Sequence, residues 1–392
     1  MFKDKIRKID IEDIVKFIIV SPIAWILKKK KKNIWLVSER PSEARDNGYY
    51  FFSYVIKEKK SLNTYYVVKF DSKDYEKIKE LGNIIKFGSM KHYLYYLITD
   101  IHISAHIDGG MPNRRVCNFL ERKGILRNKK VFLQHGVTKD RIEFAFYKNT
   151  RVDMFICAAK PEYNFVKDNF GYPIEHVKLL GFCRFDGLYD NNLKRQIVLM
   201  PTWRAWLTKK AFESNDEVRK RFVDSEYFKR YFELINNTQL IELLQKYNLQ
   251  LVFYPHSDMQ EYIDLFECNN ENIIIGSSND YDVQELLKES KVLITDYSSV
   301  AFDFAYMDKP IVYYQFDHDK FRKLQHAEGY YKYTRDSFGP IFEDTLGLIN
   351  ELDNMIKREF ELESKYEKRI KEFFELKDKC NCDRTYEYIK RL

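Results

Sequence analysis

The sequence predicts an α/β protein of two doubly wound, Rossmann-like domains, with a basic helical arm at its N-terminus and a helical segment at its C-terminus. Three observations predict this. Short β-branched or aromatic runs alternate with helical stretches through both halves, as in parallel sheets covered by helices on both faces. The 392 residues are about twice an ordinary domain. Apolar residues at 45% and charged residues at 32%, with only 14 Gly and 9 Pro, exclude fibrous and linker-dominated chains.

In chain order, the arm (1–32) comes first. Phe17 to Leu27 reads FIIVSPIAWIL and is followed by five lysines. Eleven helical residues reach ~16 Å, half of a ~30 Å hydrocarbon core, so this run does not span a bilayer. The basic block follows the apolar run and no small-residue cleavage site appears, which argues against a signal peptide. Two readings remain: a first helix packed on the body with solvated lysines, or an interfacial anchor. The second is favoured, with Ile18, Ile19, Ile23, Trp25 and Ile26 at the membrane boundary and Lys28, Lys29, Lys30, Lys31 and Lys32 on an anionic leaflet.

The first domain (33–190) has strand-like runs at 33–38, 64–70, 83–88, 100–106, 130–136 and 152–159, with helices over Lys91–Ile98 and Pro161–Asn169. The polar stretch from Asp190 to Gln196 reads as the link. The second domain (191–345) repeats the rhythm with runs at 197–203, 249–256, 272–277, 291–296 and 310–316. Helices are expected over Tyr227–Tyr247, Asp258–Glu267, Val283–Ser290 and Ser299–Met307. Residues 346–392 are charged and helical, without further strands.

Charge and cysteine usage narrow the function. The chain carries a net charge of +7, and residues 1–32, with ten basic and four acidic residues, account for +6 of it. A nearly neutral body excludes a nucleic-acid-binding stripe. Six cysteines do not make a disulfide scaffold, and the Cys380–Cys382 pair lacks a second pair to hold zinc. The thiols read as reduced and the compartment as cytosolic. His102, Ser104 and His106 share one strand face, but with no third ligand in evidence no metal or cofactor is expected.

Ligands of such sheets bind beyond the carboxyl ends of strands, and four ends carry polar residues that a core does not need. Gln134-His135-Gly136 closes the run at 130–136, with Gly136 as the turn and His135 titrating near neutrality. Pro201-Thr202-Trp203-Arg204 closes the run at 197–203, where an arginine forks onto phosphate beside a hydroxyl. Tyr254-Pro255-His256 precedes Ser257 and Asp258, candidate N-caps of the next helix. Most specific is LITDYSSVAFDF (293–304), in which a buried strand ends at Asp296 and Ser298 and Ser299 open a helix. Asp303 lies on the same helical face as Ser299. Together these ends suggest a dianionic or diphosphate ligand. Neither G-x-x-x-x-G-K-[ST] nor G-x-G-x-x-G follows a strand, which argues against ATP hydrolysis and common NAD binding.

These residues together resemble the CDP-glycerol glycerophosphotransferase family, the teichoic acid primases and polymerases. The segment LITDYSSVAFDFAYMDKPIVYY, the H-G, P-T-W-R and P-H strand ends in that order, and SEARDNGYYFF with Asp46, Asn47 and Gly48 carry the resemblance over roughly 33–345. The H-G block departs from the family, continuing Val137-Thr138-Lys139-Asp140 without Pro. The resemblance implies a GT-B-like pair of domains facing across a cleft, a CDP-alditol donor, a lipid-linked saccharide or polyol-phosphate acceptor, and CMP as leaving group. It implies His135 as general base, with Asp46, Asn47 and Gly136 on the acceptor side. Thr202, Arg204, His256, Asp296, Ser298 and Ser299 would hold the donor, with His256 also catalytic. The expected location is peripheral, on the cytoplasmic face of the membrane. A GT-B glycosyltransferase using a nucleotide sugar is the alternative.

Overall fold

The computed structural model describes residues 7–30, 32–189, 192–209 and 213–392; Lys31 and Asp190 lie outside them. By contact density the chain forms two compact units. The first runs through Val137 and adds Glu143–Gly187 and Leu376–Leu392; the second comprises Thr138–Ile142 and Leu188–Glu375. The C-terminal helices are therefore divided. Thr345–Lys357 and Ser364–Phe373 belong to the second unit, and Asn381–Ile389 to the first.

The first unit contains seven strands: β1 (Trp35–Ser38), β2 (Thr64–Val68), β3 (Ile84–Lys86), β4 (Ile101–Ser104), β5 (Lys129–Phe132), β6 (Met154–Cys157) and β7 (Val177–Leu179). They form one parallel sheet in the order β3-β2-β1-β4-β5-β6-β7. The second unit contains β8 (Gln196–Met200), β9 (Gln250–Phe253), β10 (Ile273–Ile275), β11 (Val292–Thr295), β12 (Ile311–Tyr314) and β13 (Ile341–Phe342). Their order is β10-β9-β8-β11-β12-β13, again parallel. Each unit thus reverses strand order once, between β1 and β4 and between β8 and β11. At these switch points adjacent loops diverge and leave a crevice at the carboxyl ends.

The eleven strand-like runs of the sequence all form strands. β7 (VKL) and β13 (IF) were not foreseen, because neither shows the run of adjacent isoleucines that marks the equally short β3 and β10. The helix expected over Tyr227–Tyr247 is two helices, Glu226–Ile235 and Thr238–Lys246. Asn237 divides them, its side chain accepting from the amides of Gln239 and Leu240. Asp258–Glu267, expected as an α-helix, is a tighter 3₁₀ segment, Ser257–Leu265.

The N-terminal helix, Lys8–Lys30, is not an appendage. Phe17, Val20 and Ala24 are buried against the helices Met90–Ile98 and Arg114–Arg122. Asp10 and Asp13 are buried on the same face, both accepting from Asn113 Nδ2 at 3.1 and 2.9 Å. The opposite face is apolar and open to solvent, with Ile18, Ile19, Ile23, Trp25 and Ile26 all at least half exposed. The two readings of the arm describe two sides of one helix. Among the described residues no helix is long and apolar enough to cross a membrane.

Candidate active site

In the second unit the sequence candidates gather at the switch point. Thr202 and Arg204 follow β8, Asp296, Ser298 and Ser299 follow β11, and His256 follows the neighbouring β9. Arg204, however, does not face a ligand. It is 0% exposed. Its Nε donates to Asp317 at 2.7 Å, its Nη2 to Asp296 at 2.8 Å and its Nη1 to the Thr202 carbonyl at 2.7 Å. The fork expected to meet phosphate has closed on two carboxylates, because burial leaves a guanidinium stable only when paired. Asp296 is equally enclosed. It accepts from Arg204, the Thr202 amide (2.8 Å), Tyr231 Oη (3.1 Å) and the Tyr297 amide (2.6 Å). Both residues therefore brace the loops and have no capacity left for a ribose hydroxyl.

Thr202, Ser298, Ser299 and His256 differ from this brace. The Thr202 hydroxyl is buried without a hydrogen-bond partner. Ser299 is the N-cap residue of the helix Val300–Tyr306, and its side chain makes no capping bond. Ser298 Oγ is 3.4 Å from the Val300 amide, a long contact. His256 is 35% exposed, and its Nδ1 accepts from the Asp258 amide at 3.2 Å, so a neutral ring carries its proton on Nε2. Asp303, by contrast, is buried in its helix.

In the first unit His135 follows β5 and keeps solvent access at the carboxyl end of the sheet, with the protein crowded around its ring. One ring nitrogen bonds the Ala105 carbonyl. Burial first, then the charges of Arg40 and Arg184, lowers its pKa to about 4. The ring is neutral at pH 7, with one nitrogen as donor and the other as acceptor.

The loop that presents His135 is held hard. Gln134 adopts φ 60°, the left-handed region that costs a non-glycine residue energy, so the turn assigned to Gly136 begins two residues earlier. Asn47, fully buried, donates to the Gln134 carbonyl at 2.7 Å and accepts the Arg184 amide at 3.0 Å. The Gln134 side chain donates to the Ile156 carbonyl (2.6 Å) and to Glu162 (3.0 Å). Asp46 caps the helix Asn47–Lys57 and accepts from Arg184 Nη1 at 2.8 Å. Asp46 and Asn47 thus shape the His135 loop. His106, which the sequence offered only as half a metal site, stacks flat on His135 at 4.7 Å and 8°.

Glu39 was missed by sequence reasoning. It directly follows β1 and is buried, accepting the amides of Arg45 (2.9 Å), Asp46 (2.9 Å) and Tyr49 (2.7 Å). These are the helix-start donors that hold phosphate in dinucleotide-binding folds. Burial, then the charge of Asp46, pushes its pKa up to about 8, against three amides that favour the charged form. Gly48 permits the approach, since a Cβ there would meet Glu39 Cγ at 2.9 Å. An acid just past a strand end, nine residues before a glycine in the first helical turn, was the available signal.

Comparison with known proteins follows the same lines. The chain is 36% identical over 366 residues to the minor teichoic acid biosynthesis protein GgaB of Bacillus subtilis, covering 92% of this chain and 40% of that protein. It is 25% identical over 372 residues to the teichoic acid poly(glycerol phosphate) polymerase of Staphylococcus epidermidis, covering 88% and 48%. The chain therefore spans less than half the length of either relative. A solved structure of the wall teichoic acid polymerase TagF matches with TM-score 0.68 at 18% identity over 98% of both chains. A UDP complex of S. aureus MnaA matches with TM-score 0.54 at 13% identity, covering 92% and 96%. At these identities the structures establish the shared fold, two Rossmann-like domains. The family model for CDP-glycerol:poly(glycerophosphate) glycerophosphotransferases matches residues 19–391. With nearly the whole chain matched, this protein belongs to the CDP-glycerol:poly(glycerophosphate) glycerophosphotransferase family.

Proposed function

We propose that this chain transfers an alditol-phosphate from a CDP-alditol to a hydroxyl of a membrane-anchored polyol-phosphate or saccharide acceptor, releasing CMP. The observation that carries the reading is a neutral, exposed His135, anchored through one nitrogen, in a chain matched over residues 19–391 by this family. In this mechanism the acceptor hydroxyl gives its proton to His135 while its oxygen forms a bond to the β-phosphorus. The β-phosphorus–oxygen bond to CMP breaks in line. Positioning and charge neutralisation supply most of the acceleration in such transfers. Thr202 Oγ1, His256 Nε2–H and the hydroxyls of Ser298 and Ser299 hold the donor diphosphate, while Arg204 and Asp296 fix the loops that present them. A TagF variant has been solved after soaking with CDPG, which supports a donor of this class for the family fold.

The exposed face of the N-terminal helix supports a peripheral position on the cytoplasmic face of the membrane. Lys29 lies over the Trp25 ring at 3.5 Å, placing charge and an interfacial aromatic side by side. Each lysine near an anionic leaflet adds about 1 kcal/mol. Removing residues 1–32 would also strip the buried face, so Ile18→Ser/Trp25→Ser/Ile26→Ser is the cleaner test. It should lose sedimentation with phosphatidylglycerol vesicles while keeping turnover on a soluble acceptor; full vesicle binding by the triple variant would refute the anchor.

Incubation of the chain with an acceptor and each of CDP-glycerol, CDP-ribitol and UDP-sugars, read by mass spectrometry, tests the transfer. A gain of one glycerol- or ribitol-phosphate marks a primase, and a ladder a polymerase. A hexose gain from a UDP-sugar would overturn the reading in favour of a glycosyltransferase.

A further inference from the structure

The switch point of the first unit holds a charged side chain that the chemistry above does not use. Arg40 lies two residues beyond β1, His106 two beyond β4 and His135 three beyond β5. These strands are neighbours, with Ser38 opposite Ser104 and Ser104 opposite Phe132. The three side chains therefore stand in a row along the carboxyl edge of the sheet, with the His106 ring lying flat against His135.

The surroundings leave Arg40 as the anion receptor of this edge. The helix-start amides beside it are taken by Glu39. Arg184, the other guanidinium whose charge reaches His135, is buried and bonded to Asp46. Arg40 is 52% exposed, and its ion pair to the half-buried Glu43 is a long 3.4 Å. Only one of its nitrogens makes that contact, so the rest of the fork stays available to a second anion. Its charge also works against the neighbouring base, since it helps to lower the pKa of His135. An anion seated on Arg40 removes that handicap at the moment the base is needed. A phosphodiester meets these requirements, because its two non-bridging oxygens match the guanidinium fork.

We propose that Arg40 binds the phosphate adjacent to the accepting hydroxyl, so that the first unit favours acceptors that already carry a polyol-phosphate unit. This rests on the transferase reading and deepens it, by giving the acceptor a second recognised group. The donor also brings phosphate, so the experiment must separate the two sources.

Arg40→Ala and Arg40→Lys are compared with the unaltered chain on two soluble acceptors, a saccharide bearing one glycerol-phosphate and the same saccharide without it. CDP-glycerol affinity is measured separately, and binding of a glycerol-phosphate dimer is followed by calorimetry. Arg40→Ala should raise KM for the phosphorylated acceptor about tenfold, the scale of one charge-assisted bond, with kcat little changed. KM for the plain acceptor and CDP-glycerol affinity should be unaffected, Arg40→Lys should recover part of the loss, and dimer binding should weaken in parallel. An equal loss on both acceptors, or a loss of CDP-glycerol affinity, overturns the proposal. If the unaltered chain transfers nothing from either CDP-glycerol or CDP-ribitol, the transferase reading fails, and the dimer titration still decides the role of Arg40: unweakened binding to Arg40→Ala refutes it.

Discussion

His135 is neutral at physiological pH because desolvation and two nearby guanidiniums oppose its protonation, with its pKa lowered to about 4. A base works only when unprotonated, so the acid limb of kcat/KM in the free enzyme should lie near pH 4 and not near 6.5. An acid limb at 6.5 would remove His135 from the role. His135→Ala should lower kcat by about 10²–10⁴ and leave CDP-alditol affinity within a few-fold. Asn47→Ala should also lower kcat without affecting donor affinity, because it frees the Gln134 carbonyl that sets the His135 loop. Arg204→Ala should act differently. It strands two buried carboxylates and should cost about 3–5 kcal/mol in chemical denaturation. The strand ends and most residues of the candidate site were legible in the sequence, since polar residues closing buried apolar runs stand out there. What each residue touches was not. Arg204 reads the same whether its fork meets phosphate or Asp317, and only burial separates the two. Glu39 left only a faint signal because its partners are backbone amides, which any sequence supplies.

At the scale of elements, the helix Met90–Ile98 carries a pH-sensitive anchor. His92 is 0% exposed; its Nδ1 accepts from the Gly88 amide at 3.0 Å, and its Nε2 meets the Gly110 carbonyl at 2.9 Å. Both nitrogens are satisfied only in the neutral ring, and burial lowers the pKa to about 4. The unfolded chain binds this proton below about pH 6.5 and the folded chain does not, so stability falls as pH drops from 6.5 towards 4. His92 alone should contribute a slope of about 1.4 kcal/mol per pH unit in that window. Denaturation at pH 7 and pH 5 should show His92→Gln losing less stability on acidification than the unaltered chain; an identical loss would refute the assignment. Elements of four or more apolar residues were readable from their period. β7, β13 and the break at Asn236–Asn237 were not, because pairing to a neighbouring strand and side-chain capping decide them.

Across the whole molecule, two sheets share one winding order and differ in what their switch points offer. The second presents an unpartnered hydroxyl at Thr202, and Thr202→Val should weaken CDP-alditol binding about tenfold in equilibrium titration. The first has its helix start occupied by Glu39. That occupancy bears on product inhibition. In the proposed reaction the departing CMP finds the helix start after β1 filled, since the Glu39 side chain already accepts its amides. CMP should therefore compete with the donor alone, and raising the acceptor concentration should not relieve it. The internal acid acts as a standing dummy ligand, and under the proposed transfer it would spare the acceptor from rivalry with the released nucleotide.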